Sequence, residues 1–122
     1  MSRRPPRPPA LRYRPARRTD VDTLAELALR AYRVSSIEAR RDFYAEHPRF
    51  SIRDVRVGEL DGEIVSSLVL LPLQAWVRAH KVPVTGIGSV AVSPESRRRG
   101  VAEALLRATL REMRQRGDAM CL

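Results

Sequence analysis

The apolar positions in the first half of the chain predict a short strand followed by two helices. Leu11 to Arg14 can form a strand that Pro15 ends, and Thr19 or Asp20 then offers a side-chain oxygen to cap a helix. The residues that recur at helical spacing in this first helix are Val21, Leu24, Ala25, Ala28, Ala31 and Tyr32. Ile37 to Glu46 continues as a second, more polar helix that Pro48 stops.

The middle of the chain predicts antiparallel strands. Asp61-Gly62 lies between VRVGEL and EIVSSLVLL, and both turn residues tolerate positive φ, which is typical of a tight hairpin. The second strand extends to Val77. A loop from Arg78 to Pro83 then leads into another strand from Val84 to Val92.

The last third predicts a helix on the sheet. Pro94 closes the preceding strand, Gly100 opens a helix that runs to about Gln115, and Gly117 ends it. The apolar stripe expected to seat this helix is Val101, Ala102, Leu105, Leu106 and Met113, with Leu110 at its margin, while Arg107, Arg111 and Arg114 are expected to face water. Asp118 to Leu122 resembles the beginning of a further strand.

This order, β α α β β β α β, predicts a mixed α/β fold in which antiparallel β-strands are followed by a right-handed parallel β-α-β crossover. The last strand begins where the sequence stops at Leu122, which would leave an apolar sheet edge open. We therefore expect an incomplete domain over residues 11–122. Residues 1–10, MSRRPPRPPA, are expected to form a disordered basic Pro/Arg leader.

Length and charge narrow the choice of function. The 122 residues fit one domain, and 23 basic against 14 acidic residues give a net charge of +9. Residues 1–18 carry seven arginines and no acidic residue, whereas residues 19–92 are nearly neutral. Because 22 of the basic residues are Arg, a coding bias explains the high pI as well as polyanion binding does, and no specific nucleic acid is expected.

The few cysteines and histidines argue against a disulfide or a metal site. Cys121 is the one cysteine, and His47 and His80 are the two histidines, so neither an intrachain disulfide nor a structural zinc is expected, and a reduced, cytoplasmic setting fits. The longest apolar run, Ile64 to Leu73, is shorter than the ~20 residues that a membrane span needs. We expect no membrane anchor.

The segment from Val90 to Ala102 is the strongest candidate site. It passes from a strand through an Arg/Gly turn into a helix, and a helix N-terminus presents unpaired N–H groups and partial positive charge. Gly100 allows the backbone to approach a phosphate closely, and Arg97, Arg98 and Arg99 add full charges. The segment therefore indicates an anion site.

Arg97-Arg98-Arg99-Gly100-Val101-Ala102 resembles the Arg/Gln-x-x-Gly-x-Gly/Ala pyrophosphate loop of the GNAT-superfamily N-acetyltransferases. Val92-Ser93-Pro94 before it resembles the family's strand ending, and the stretch from Val82 to Val92 resembles the Eis-type branch. The resemblance implies the N-terminal half of the acyl-CoA N-acyltransferase fold, with acetyl-CoA as donor, CoA as product and no metal. The site residues that it implies are Val90, Ala91 and Val92 for the pantetheine arm and thioester carbonyl, and Arg97, Arg98, Arg99, Gly100, Val101, Ala102 and Glu103 for the pyrophosphate.

The catalytic acid and base stay unassigned. An alkyl ammonium with a pKa near ~10.4 must lose a proton before it attacks a thioester. The resulting oxyanion needs a donor, for which a strand N–H near Val90 to Val92 is suited. The resemblance implies a tyrosine beyond the fifth strand as acid and, in the Eis-type branch, a C-terminal carboxylate as base, and these 122 residues contain neither region. Six residues could either line the amine pocket or simply pack or face solvent: Glu38, Asp42, Glu46, His47, Phe50 and Trp76. Tyr13 and Tyr32 are expected at the core or its rim.

The sequence thus predicts an N-acetyltransferase that acts on a primary amine of a small molecule or protein. Two alternatives stay open. The chain could be a catalytically incomplete remnant that binds CoA or a partner, including a second copy through an open sheet edge, or a polyanion binder that uses its arginine clusters.

Overall fold

A computed structural model describes residues 10–32 and 36–118 of the chain. The predicted leader before Ala10, the predicted strand after Asp118 and Cys121 therefore lie outside the described residues. The parallel β-α-β crossover needs that last strand and stays a prediction.

The described elements follow the predicted order. They are β1 (Arg12–Pro15), α1 (Val21–Ala31), α2 (Ile37–Ala45), β2 (Val55–Leu60), β3 (Glu63–Val77), β4 (His80–Val92) and α3 (Val101–Arg116). The strands form one sheet in the order β1-β2-β3-β4, and each neighbouring pair is antiparallel. Short 3₁₀ turns at Arg18–Asp20, Ile52–Asp54 and Pro94–Ser96 were not predicted.

One of the two hairpin turns agrees with its prediction, and the other does not. Asp61 and Gly62 have φ values of 51° and 80°, as the predicted tight turn requires. The predicted loop from Arg78 to Pro83 is wrong, because Arg78 and Ala79 alone make the turn, at φ values of 48° and 66°, and β4 begins at His80. Neither residue is the glycine or asparagine that usually signals such a turn, so sequence reasoning missed it.

The first half of strand β3 is covered on both faces, and residues 65–70 are all buried. Val69 packs in one core cluster with residues of α1 and α2. Its neighbours Leu68 and Leu70 pack in a second cluster with Leu105 and Met113 of α3. Because successive side chains of a strand point to opposite faces, α1 and α2 cover one face of the sheet and α3 the other.

The buried stripe of α3 differs from the predicted one. Its buried residues are Val101, Leu105, Thr109 and Met113, each four positions after the last. Thr109 is tolerated there because its hydroxyl donates to the Leu105 carbonyl at 2.8 Å. Ala102 is exposed and Leu110 is 48% exposed, so both were wrongly placed in the stripe. Arg107, Arg111 and Arg114 are exposed, as predicted.

A polar network joins α3 to β1 and β2. Arg56 donates to Glu112 from Nε to Oε1 and from Nη2 to Oε2, both at 2.8 Å, and the Tyr13 hydroxyl donates to Oε1 at 2.6 Å. The hydrogen bonds from Arg56, against the opposing effect of burial, lower the pKa of Glu112 to about 2. Burial and the hydrogen bond to Glu112 raise the pKa of Tyr13 to about 12.

We expect Glu112 to stabilise the fold mainly above the pKa of an unfolded glutamate, ~4.3. Because its pKa is lower in the folded state, its contribution is complete above that value and is lost as pH falls toward 2. Glu112→Gln should lower the free energy of unfolding at pH 7 by about 1–3 kcal/mol, and the deficit should shrink at pH 3. Urea denaturation at both pH values measures it, with Glu103→Gln, an exposed carboxylate of the same helix, as the matched control. Equal losses in the two variants would contradict the assignment.

Candidate functional site

A concave pocket of about 300 Å³ lies at the N-terminus of α3. The end of β4, the 3₁₀ turn and the first turn of the helix supply its walls. The lining residues are Val92, Ser96, Arg97, Arg98, Gly100, Val101, Ala102 and Glu103. All residues of the Arg97–Ala102 motif except Arg99 therefore line one concavity, and Ser96 joins them although no sequence signal indicates it.

The backbone at this pocket presents hydrogen-bond donors. Arg98 and Gly100 both have left-handed conformations, with φ values of 69° and 75°. The first bond inside the helix runs from the Ala104 N–H to the Gly100 carbonyl at 3.0 Å. No described residue accepts from the N–H groups of residues 100–103, which are thus free to hold an anion.

The three arginines of the motif do not act as one cluster. Arg97 lies at the pocket, and its Nη2 donates to the Ala31 carbonyl at the end of α1, at 3.2 Å. Arg98 is exposed and lines the pocket. Arg99 lines a different cavity of about 550 Å³, between α1, the β2–β3 hairpin and the 3₁₀ turn. The Glu103 carboxylate is paired with Arg107 at 2.9 Å, which offsets its repulsion of a bound anion.

Strand β4 leads into the pocket with one edge open. In the described sheet β4 is an edge strand, so one row of its backbone N–H and C=O groups has no strand partner among the described residues. Ala91 is buried opposite Ser67, and Val92 lies opposite Ser66. Val90 is half-buried and packs in the α3 core cluster. Only Val92 of the three reaches the pocket wall.

A bulge interrupts β4 just before these residues. Gly88 lies opposite Val69 and Ala91 opposite Ser67, so two residues of β4, Ser89 and Val90, face one residue of β3. Ser89 has a φ of 50°. Such a bulge leaves backbone groups unpaired and redirects the strand, features common next to functional sites.

The other candidate residues separate into packed and exposed groups. Phe50 is buried, and its ring is stacked on that of His47. Glu38, Asp42 and Glu46 are exposed on or just after α2. Trp76 is 70% exposed near the β3–β4 turn, with Lys81 Nζ 5.5 Å from its ring centroid. Tyr32, at the end of α1, is at the rim.

Among the helices that the structure describes, none has the length and apolar character to cross a membrane. Within the same residues no group of three or more His, Cys, Asp or Glu side chains is arranged to bind a metal ion.

Comparison with known proteins gives a family match. Residues 12–122 match the family model described as "Acetyltransferase (GNAT) domain". Similar solved structures include a GCN5-related N-acetyltransferase from Anabaena variabilis (22% identity, TM-score 0.77, 91% of this chain and 28% of that one). A GNAT family acetyltransferase from Brucella melitensis, in complex with acetyl-CoA, aligns at 21% identity (TM-score 0.72, 91% and 73%). Eis1 from Mycobacterium abscessus aligns at 19% identity (TM-score 0.69, 92% and 27%).

At these identities the solved structures establish the fold. The chain spans less than a third of the length of the Anabaena and Mycobacterium proteins. A search of curated proteins gave no match.

Proposed function

The chain belongs to the GNAT acetyltransferase family, and on that premise we propose that it takes part in acetyl transfer from acetyl-CoA to a primary amine of a small molecule or protein. The observation that carries the proposal is the pocket at the start of α3, where free N–H groups and Arg98 face one concavity. A diphosphate carries two negative charges and many acceptor oxygens, and such a pocket suits it.

The residues present fit acetyl-CoA. The N–H groups of residues 100–103, together with Arg97 and Arg98, would hold the pyrophosphate, and the open edge of β4 from Val90 to Val92 would bind the pantetheine amides. When bound, acetyl-CoA supplies an acetyl group activated as a thioester. Arg99 lines the neighbouring cavity and is therefore a weaker candidate for binding the pyrophosphate than the sequence suggested.

Each part of this chain has a limited role in the proposed reaction. The bulge at Ser89 leaves backbone groups of β4 unpaired near the pocket. A negative charge that develops on the thioester oxygen would need such donors. No described residue is assigned as the acid or base. We also propose that the chain belongs to the Eis-type branch, on the basis of the stretch from Val82 to Val92. The single cysteine supports a reduced, cytoplasmic setting.

Gly100→Val should weaken CoA binding at least tenfold. Gly100 has a φ of 75°, so a β-branched side chain is strained there and also approaches the phosphate space. Gly117→Val is the matched control, because Gly117 has a φ of 76° at the other end of the same helix and nothing near its missing Cβ. Isothermal titration calorimetry measures the affinity of each variant for CoA. Thermal unfolding measures the loss of stability that valine at a positive φ causes in both variants. Equal affinities in the two variants would contradict the proposed site.

Arg98→Ala should weaken CoA binding by roughly 1 kcal/mol, about fivefold in Kd, whereas Arg99→Ala should leave it nearly unchanged. The two side chains are adjacent and exposed but line different cavities. Titrations at ~0.05 M and ~0.5 M salt test the difference, since a general polyanion surface would lose affinity alike in both variants and steeply with salt.

A further inference from the structure

A second concavity, of about 380 Å³, lies against the bulge of β4. Its lining residues are Phe43, His47, Arg49, Phe50, Val69, Leu71 and Ser89, and we call it the aromatic pocket. Ser89 belongs to this pocket and Val92 to the pocket at α3. The two residues are three apart on one strand, so about 10 Å of backbone connects the two concavities.

The aromatic walls of this pocket pack against one another. The His47 ring is stacked on Phe50, with centroids 4.1 Å apart and planes 23° apart. Phe43 meets both rings edge-on at 5.1 and 5.2 Å. The guanidinium of Arg40 lies 3.9 Å from the centroid of Phe43 and supports that ring. Rigid aromatic walls favour flat, apolar ligands because little side-chain entropy is lost on binding.

Hydrogen bonding fixes the character of His47 in this pocket. Its Nδ1 accepts the Arg49 N–H at 3.1 Å. In this arrangement the hydrogen of the neutral ring is on Nε2, which is then a donor rather than a base.

The electrostatics of the aromatic pocket disfavour a ligand with several positive charges. Its described lining contains no carboxylate, and its one fully charged group is Arg49. A polycationic amine would meet a like charge and lose its hydration without an ion pair. An amine on an apolar body carries a single charge, so this cost is smaller, and its ammonium gives up a proton more readily when it is desolvated beside a cation.

We propose that the aromatic pocket holds the aromatic or apolar body of the acceptor, with the amino group directed toward Ser89 and the neighbouring open edge of β4. The acceptor class is thus an arylalkyl amine rather than a polyamine. This inference rests on the proposed acetyl transfer, because it takes β4 as the strand along which donor and acceptor meet.

The test uses the whole chain saturated with CoA, with 2-phenylethylamine and spermidine as probes. Calorimetry or ligand-observed NMR should show 2-phenylethylamine binding at least tenfold more tightly than spermidine. Leu71→Trp fills the pocket and should abolish 2-phenylethylamine binding while CoA binding persists. Leu110→Trp, on the exposed side of α3, is the matched control and should bind both ligands normally.

A second variant keeps the inference testable if Leu71→Trp fails to fold. His47→Ala removes one wall without filling the pocket and should weaken 2-phenylethylamine binding about fivefold. Tighter binding of spermidine, no binding of 2-phenylethylamine to the CoA complex, or unchanged affinity in His47→Ala would overturn the inference and leave the donor site intact. Failure of the unmodified chain to bind CoA would instead contradict the proposed function.

Discussion

The structure depends on the junction between β4 and α3, where a helix must begin with its amide N–H groups unpaired. An exposed helix start hydrogen-bonds to water, but here the first turn borders a concavity, and left-handed residues at positions 98 and 100 shape the chain around it. The helix has to be held firmly for these donors to act together. Its buried stripe, from Val101 to Met113, and the network of Glu112, Arg56 and Tyr13 provide that support.

Packing on both faces of the sheet holds the strands that border the site in place. Because α1 and α2 cover one face and α3 the other, β3 is fixed and β4 is aligned along it through the bulge. The bulge marks the point at which the two concavities approach each other. The pocket at the start of α3, which the end of β4 lines, therefore offers backbone donors suited to an anion, and the bulge borders a cavity with aromatic walls. This division matches the needs of a reaction between a charged donor and an uncharged amine.

Local signals in the sequence predicted most of the elements and the anion motif. Apolar periodicity and the prolines and glycines that end helices predicted the three described helices, and Asp61-Gly62 predicted the first hairpin. Features that depend on distant partners were missed. The tight turn at Arg78 and Ala79 and the left-handed Ser89 have no glycine to indicate them. Arg99 differs from Arg98 in the cavity that it lines, which residues of α1 and the β2–β3 hairpin also line. The aromatic pocket joins residues 43–50 to positions on β3 and β4 that lie 19 to 46 residues away along the chain.

The most direct measurement is an amide-resolved NMR titration of the ¹⁵N-labelled chain with CoA at moderate salt. The account predicts large, saturating shifts for the N–H groups of residues 100–103, with smaller changes along Val90 to Val92. Unchanged signals at the start of α3, or shifts confined to arginine-rich segments and abolished by salt, would contradict it.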